Sequence, residues 1–284
     1  MLGDSIKVSP VLDKGVTDKY SVYFPKGRWA DLNNLDQLID SKGENVDLHA
    51  SMSSTNIHLK EGRIIPIQRN IGGYKTTQDF QTKLKTSFMI MRDQSKYAEG
   101  YVLIDDGISK SSYDDIKYTF WKLRFAEKSI NFWVRYGDFN YQVPDGFTID
   151  QIEDINILHA QDLADTNYAC FLGRSLNPVN LDISYNKDNG VLTFKPSSAQ
   201  MKVQFKDVGF IKFGNKDKEP NFCDINTAFT YKVDSVDEQD VKATYHLSSK
   251  QGVNLDKLVM TVMLMDDLGT VNVNVTTVDD FNSV

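Results

Sequence analysis

Cysteine is almost missing from this chain. Its 284 residues contain two, Cys170 and Cys223. Two cysteines allow one internal bridge and no disulfide framework, and reduced, unpaired thiols are the favoured reading. Histidine is also sparse, with four residues. His49, His58, His159 and His246 lie far apart, with no metal-ligand spacing such as H-x-x-x-H. Each is read as a packed or hydrogen-bonded histidine, and neither a metal nor another cofactor is expected. Positive charge is also short, with 32 Lys and Arg against 39 Asp and Glu, a net charge of −7. No basic stripe is visible, which argues against a nucleic-acid partner, because phosphate contacts need clustered cations. No apolar run is long enough to span a bilayer, so no membrane span is expected. The start, MLGDSIKVSP, has no apolar core after a basic segment and does not read as a secretory signal. No compartment follows from the sequence. Gly72-Gly73 stands alone, so no glycine-rich phosphate loop is present. Asn274-Val275-Thr276 is a glycosylation sequon of a kind that arises often by chance.

What the sequence does contain is β pattern nearly throughout. YTFWKLRF (118–125) and INFWVRY (130–136) are rich in aromatic and β-branched residues, and the polar triplet Glu127-Lys128-Ser129 separates them, which predicts a hairpin. VLTFKP (191–196) follows Asp188-Asn189-Gly190, where Asn-Gly supplies the positive φ of a tight turn. MKVQF (201–205) and VNVNVT (271–276) alternate apolar and polar residues. Helical signals are few. Residues 31–39 fit a short helix or a turn. TIDQIED (148–154) carries a Thr cap and early acids but fits a β-turn equally well. Nothing shows the strand–helix alternation of an α/β barrel.

Four short motifs in order carry more information than any one of them. Gly3-Asp4-Ser5 is followed by an apolar stretch and by Pro10-Val11-Leu12. Pro25, Gly27 and Trp29 form a Pro-x-Gly-x-Trp turn, with Asp31 after it. His58, Gly62, Ile64, Ile65 and Pro66 come next, then Asp105-Asp106-Gly107. Together they resemble the C-terminal part of glycoside hydrolase family 31, the α-glucosidase-like enzymes, over about residues 1–213. Lys60 and Glu61 stand where Arg and Gly are usual, so a differently shaped loop is expected there. Ile108 stands where Glu is common.

The resemblance implies an all-β fold. Residues 1–90 would hold the barrel-exit strand and a proximal β-sandwich, and 91–213 a distal β-sandwich. The polar stretch to 223 reads as a linker. Residues 224–284 form a strand-rich tail, weakly similar to the start of the family's N-terminal β-sandwich. The catalytic barrel would be absent. Residues 1–12, covered by that barrel in a family member, would then fray, dissolve poorly or associate, with fast hydrogen exchange across residues 1–9 and protection beginning near Tyr20–Phe24. Trp29 and Pro66 are expected in one small sandwich.

Retaining glycosidases need two carboxyl groups about 5–5.5 Å apart across the scissile bond. In this family both are aspartates on the barrel, upstream of the matched motifs, and the Trp-x-Asp-Met-Asn-Glu-like nucleophile motif is not found here. Asp105-Asp106 is tempting, but adjacent strand residues point to opposite faces, and Asp-Asp-Gly is common turn chemistry. Asp266-Asp267 reads the same way, and Asp114-Asp115 reads as loop. Trp29, Trp121 and Trp133 could stack on sugars, yet apolar neighbours favour core packing. No catalytic, cofactor or metal residue is therefore assigned. The partner implied is the catalytic barrel of the same or a related polypeptide, with carbohydrate met only through the full-length enzyme. The rival reading is a free-standing β-sandwich binding or structural protein derived from such an enzyme.

Overall fold

The computed structural model describes residues 1–69, 85–105, 118–126, 128–137, 152–173, 178–196, 208–218, 229–237, 242–249, 264–265 and 271–272. The fold is all-β. Among the described residues the helical content is one 3-10 turn, Gln161–Leu163, and no helix is long and apolar enough to cross a membrane. The chain forms two compact units, residues 1–223 and 224–284.

The first unit begins with six strands: β1 (Ile6–Ser9), β2 (Lys19–Phe24), β3 (Gly27–Asp31), β4 (Leu38–Ser41), β5 (Glu44–His49) and β6 (Asn56–Lys60). They make a four-stranded sheet in the order β1-β6-β3-β4 and a separate β2-β5 pair. Side chains alternate across β3, as the pleat requires. Trp29 points to the β2-β5 pair, where Phe24 and Leu48 complete a small core. Ala30 points the other way and, with Leu59, packs against Ile65, Met89 and Met91. The Pro-x-Gly-x-Trp turn has a clear cause. Gly27 sits at φ 130°, and the Trp29 indole Nε1 donates to the Pro25 carbonyl at 3.0 Å.

A closed sheet follows, built from β7 (Arg63–Ile67), β8 (Thr86–Met91), β9 (Ala98–Asp105), β10 (Tyr118–Ala126), β11 (Ser129–Gly137), β12 (Ile152–Ile157), β13 (Tyr168–Gly173), β14 (Pro178–Asn186), β15 (Val191–Pro196) and β16 (Val208–Gly214). Its order is β10-β11-β16-β13-β14-β15-β12-β8-β7-β9, closing back on β10. Phe88, Ile90, Trp121, Leu123, Phe125 and Phe132 are among the side chains that fill the interior. β8 is buried from Ser87 to Met91. Phe88 and Ile90 face the interior, while Met89 and Met91 lie under the four-stranded sheet. The predicted hairpin is β10-β11, with Phe125 opposite Ile130.

Several expectations are corrected. β7 and β8 hydrogen-bond within the closed sheet. Trp29 and Pro66 therefore belong to different sheets. Pro66 lies beyond the short Arg63–Ile64 stretch that pairs with β9, where its missing N–H interrupts no ladder. Residues 152–154 are strand, not helix or turn. β1 pairs antiparallel with β6, and Leu2 and Ile6 exchange backbone hydrogen bonds. Ile6 also packs on the core beneath the sheet, so residues 6–9 are tied down rather than frayed. In the β14–β15 hairpin four residues, 187–190, separate the paired Asn186 and Val191, and Gly190 alone takes a positive φ, 66°. Residues 31–37 form a turn, with the Asn33 N–H donating to Asp31 Oδ1 at 2.8 Å. Cys170 is disulfide-bonded, against the expectation of reduced thiols. The sequence has one other cysteine, Cys223, which lies outside the described residues.

In the second unit β17 (Phe229–Asp237) pairs antiparallel with β18 (Lys242–Ser249), and β19 (Leu264–Met265) pairs with β20 (Val271–Asn272). The expected strand at 201–205 falls outside the described residues, as does most of 271–276.

Candidate functional site

The family-like turns meet at a polar joint. Glu61, at the place where glycine is usual, grips Arg28 three times. Its Oε2 accepts from Arg28 Nε at 2.8 Å, its Oε1 accepts from the Arg28 backbone N–H at 3.0 Å, and its own N–H donates to the Arg28 carbonyl at 2.9 Å. Arg28 Nη2 then donates to the Arg92 carbonyl at 2.9 Å. The buried Arg92 guanidinium forks onto Asp162, at 3.1 and 2.6 Å, and Lys96 reaches the same carboxylate at 3.0 Å. The Arg92 hydrogen bonds, joined by Lys96 and opposed by partial burial, draw the Asp162 pKa down to about 2. A second network links Asp4 of the Gly-Asp-Ser motif to Arg63 at 2.7 Å, and Arg63 to Glu99 at 3.4 Å. Lys122 and the Tyr97 hydroxyl also reach Glu99, at 3.3 and 2.9 Å. Burial, then the Glu99 contact, push Tyr97 up to about 12. Burial pulls Glu99 upward, but Tyr97, Lys122 and Arg63 outweigh it and lower its pKa.

Asp4, Glu99 and Asp162 are held ionised. A general acid needs the reverse, a carboxyl raised toward neutral pH. Their chemistry is that of joints between strands.

The candidates weighed from sequence fall where packing puts them. Asp105 ends β9, and Asp106, Asp114-Asp115 and Asp266-Asp267 lie outside the described residues. Trp29 and Trp121 are buried, and Trp133 is a strand residue of β11. His58 is buried edge-on against Phe24, ring centroids 4.9 Å apart. Burial lowers its pKa, with Lys7 adding to the effect and Asp31 opposing it. His159 sits at φ 48° and is likewise lowered by burial and by Arg28. The His49 carbonyl accepts from Asn56, and His246 is a strand residue of β18. Among the described residues no group of His, Cys, Asp and Glu is placed to hold a metal ion.

One cavity, of about 450 Å³, opens where the segment after β1 meets the β5–β6 loop. Tyr20 anchors its wall. Its hydroxyl donates to the Ser9 carbonyl and accepts from Asn56 Nδ2, the latter at 3.0 Å. Asn56 Nδ2 also donates to the His49 carbonyl at 2.8 Å. The amide orientation is thereby set, with Oδ1 left as an acceptor. Asp13, Ser54 and Thr55 add exposed polar groups, and Val11 and Met52 add apolar surface. No Lys, Arg or His is among the described residues lining it.

Comparison with known proteins follows this architecture. Residues 1–65 match the family model described as the glycosyl hydrolase family 31 C-terminal domain. An α-glucosidase from Hordeum vulgare is 34% identical over 110 residues, covering 38% of this chain and 12% of its own length. Lysosomal α-glucosidase from Bos taurus is 32% identical over 146 residues, covering 46% of this chain and 15% of its own length. The crystal structure of a glucosidase II α subunit, in an α3-Glc2-bound form, superposes with a TM-score of 0.61 at 16% identity, over 74% of this chain and 22% of that one. The chain thus spans a small part of these relatives. It is related to the C-terminal region of family 31 glycoside hydrolases.

Legible in sequence were the motifs themselves. The Arg28–Glu61 and Arg92–Asp162 joints were not, although the unusual Glu61 marked one of their members.

Proposed function

We propose that this chain serves as the non-catalytic C-terminal β-region of an α-glucosidase-type glycoside hydrolase, an enzyme that hydrolyses O-glycosidic bonds in carbohydrate metabolism. The match of residues 1–65 to the family's C-terminal domain carries this reading. The downward pKa shifts of Asp162 and Glu99 support it, since neither carboxyl is suited to protonate a leaving group. In this reading the catalytic barrel of the same or a related polypeptide is the partner, and turnover of carbohydrate belongs to that barrel. Residues 6–60 act as the proximal sandwich and residues 63–214, which form the closed sheet, as the distal domain. Residues 224–284 begin a further N-terminal-type β-sandwich.

The test is direct. Purified chain is assayed with an aryl α-glucoside and with maltose, and no turnover is expected. Turnover that persists through purification, and disappears on substituting a residue of this chain, overturns the reading.

A further inference from the structure

We propose that the cavity between the segment after β1 and the β5–β6 loop binds a neutral sugar. This goes beyond the function proposed above, in which carbohydrate meets only the barrel. Its volume, about 450 Å³, lies within the ordinary range for small-molecule sites. The polarity of the lining selects the ligand. No basic side chain among the described residues faces the cavity, so phosphate, sulfate and carboxylate ligands would meet acceptors and one acid without a compensating charge. A polyhydroxylated ring brings the opposite complement, several O–H donors. Asp13 and Asn56 Oδ1 accept them, and the Ser54 and Thr55 hydroxyls either donate or accept. The Tyr20–Asn56–His49 hydrogen bonds hold the Asn56 amide in place before a ligand arrives, which reduces the ordering cost of binding. Val11, Met52 and the Tyr20 side chain supply apolar surface for the C–H face of the ring.

The experiment titrates the full chain with maltose while following the backbone amide resonances of residues 11–16 and 51–56. Glucose 6-phosphate is the anionic comparison, and Asp13→Asn with Thr55→Val is the variant. Both of those side chains are exposed, so the double variant is expected to fold, and its melting curve checks this. A saturable shift confined to those segments is expected, with a Kd on the order of 1 mM. The double variant should weaken it about tenfold, the loss of one or two hydrogen bonds. Glucose 6-phosphate should bind more weakly than maltose. Absence of a saturable maltose shift, an unchanged Kd in the double variant, or tighter binding of the phosphate sugar each overturns the proposal. Hydrolysis plays no part in this readout, so the result stands apart from the turnover assay.

Discussion

Gly100→Ala tests the seam that closes the large sheet. Gly100 is paired in parallel register with Ile64. A Cβ added at Gly100 would stand 2.0 Å from the Ile64 carbonyl oxygen and 2.8 Å from both its carbonyl carbon and its Cβ. Carbon–oxygen contacts across strands settle at about 3.3–3.6 Å, so β7 and β9 must part by more than about 1 Å. The obstacle is backbone, which cannot swing aside as a side-chain tip can. Parting disrupts the short parallel pairing at Arg63–Glu99 and Ile64–Gly100. It also threatens the Glu99 N–H to Gly62 carbonyl bond at 3.1 Å. Lost pairing costs about 1–2 kcal/mol, and overpacking about 1–3 kcal/mol more. Together that is about 2–5 kcal/mol, a large share of a typical ~5–15 kcal/mol total. The control is Gly3→Ala. Gly3 has φ 58° and no atom within 4 Å of an added Cβ, so only the left-handed backbone penalty of about 1–2 kcal/mol applies. Urea unfolding followed by far-UV circular dichroism measures both. If Gly100→Ala loses no more stability than Gly3→Ala, the close approach is not real and the account of the seam fails.

Trp29→Ala should cost about 3–5 kcal/mol by the same unfolding assay, because the indole is fully buried; a surface-sized loss would misplace the turn. Asp162, with its pKa near 2 when folded against an ordinary 3.8, stabilises the fold above about pH 4, and that contribution is lost as pH falls toward 2. Its side chain is 41% exposed, so screening limits the expected gap between wild type and Asp162→Asn to about 1 kcal/mol near neutrality, closing at pH 2; a gap constant with pH contradicts the ion-pair account. Buried His58 has its folded pKa lowered below the ordinary 6.5. Stability should therefore be full above about pH 6.5 and decline as pH falls below it. His58→Gln should flatten part of that slope, with His159 sustaining the rest; an unchanged slope means His58 is not buried neutral.

What could be read in the sequence depended on how local its cause was. The β10–β11 hairpin was legible because two runs of aromatic and β-branched residues flank a polar triplet. The Pro25–Trp29 turn was legible because its hydrogen bond closes within four residues. β8 was not, because TSFMIM buries both faces and so shows no alternation. The segment at 148–154 has genuine local capping signs, yet Ile152, Asp154 and Ile155 are buried in strand β12, and tertiary pairing with β8 and β15 decides. Glu61 was noticed as an unusual residue, but its partner Arg28 is 33 positions away, beyond any spacing rule. The spacing of two cysteines carries no information on pairing, and the Cys170 bridge had to come from the structure.

The motif reading places the N-terminal strands in a sandwich of their own, separate from the distal one. The packing argues otherwise. The outer face of the closed sheet presents Ile65, Met89, Met91, Leu158 and Val191, each 6% exposed or less beneath Ala30 and Leu59. Unfolding residues 6–60 alone would hydrate that face. At about 1.5 kcal/mol or more per large apolar side chain, uncovering it costs an amount comparable with the stability of an ordinary domain. Arg28 would also lose Glu61 and the Arg92 carbonyl together. An intermediate with only the closed sheet intact is thus poorly populated. Trp29→Ala should lower the midpoint of one transition, with tryptophan fluorescence and far-UV dichroism coincident. A biphasic curve in which β-sheet signal survives the first step would show that the layer under Ala30 and Leu59 contributes little, and that the two parts fold independently after all.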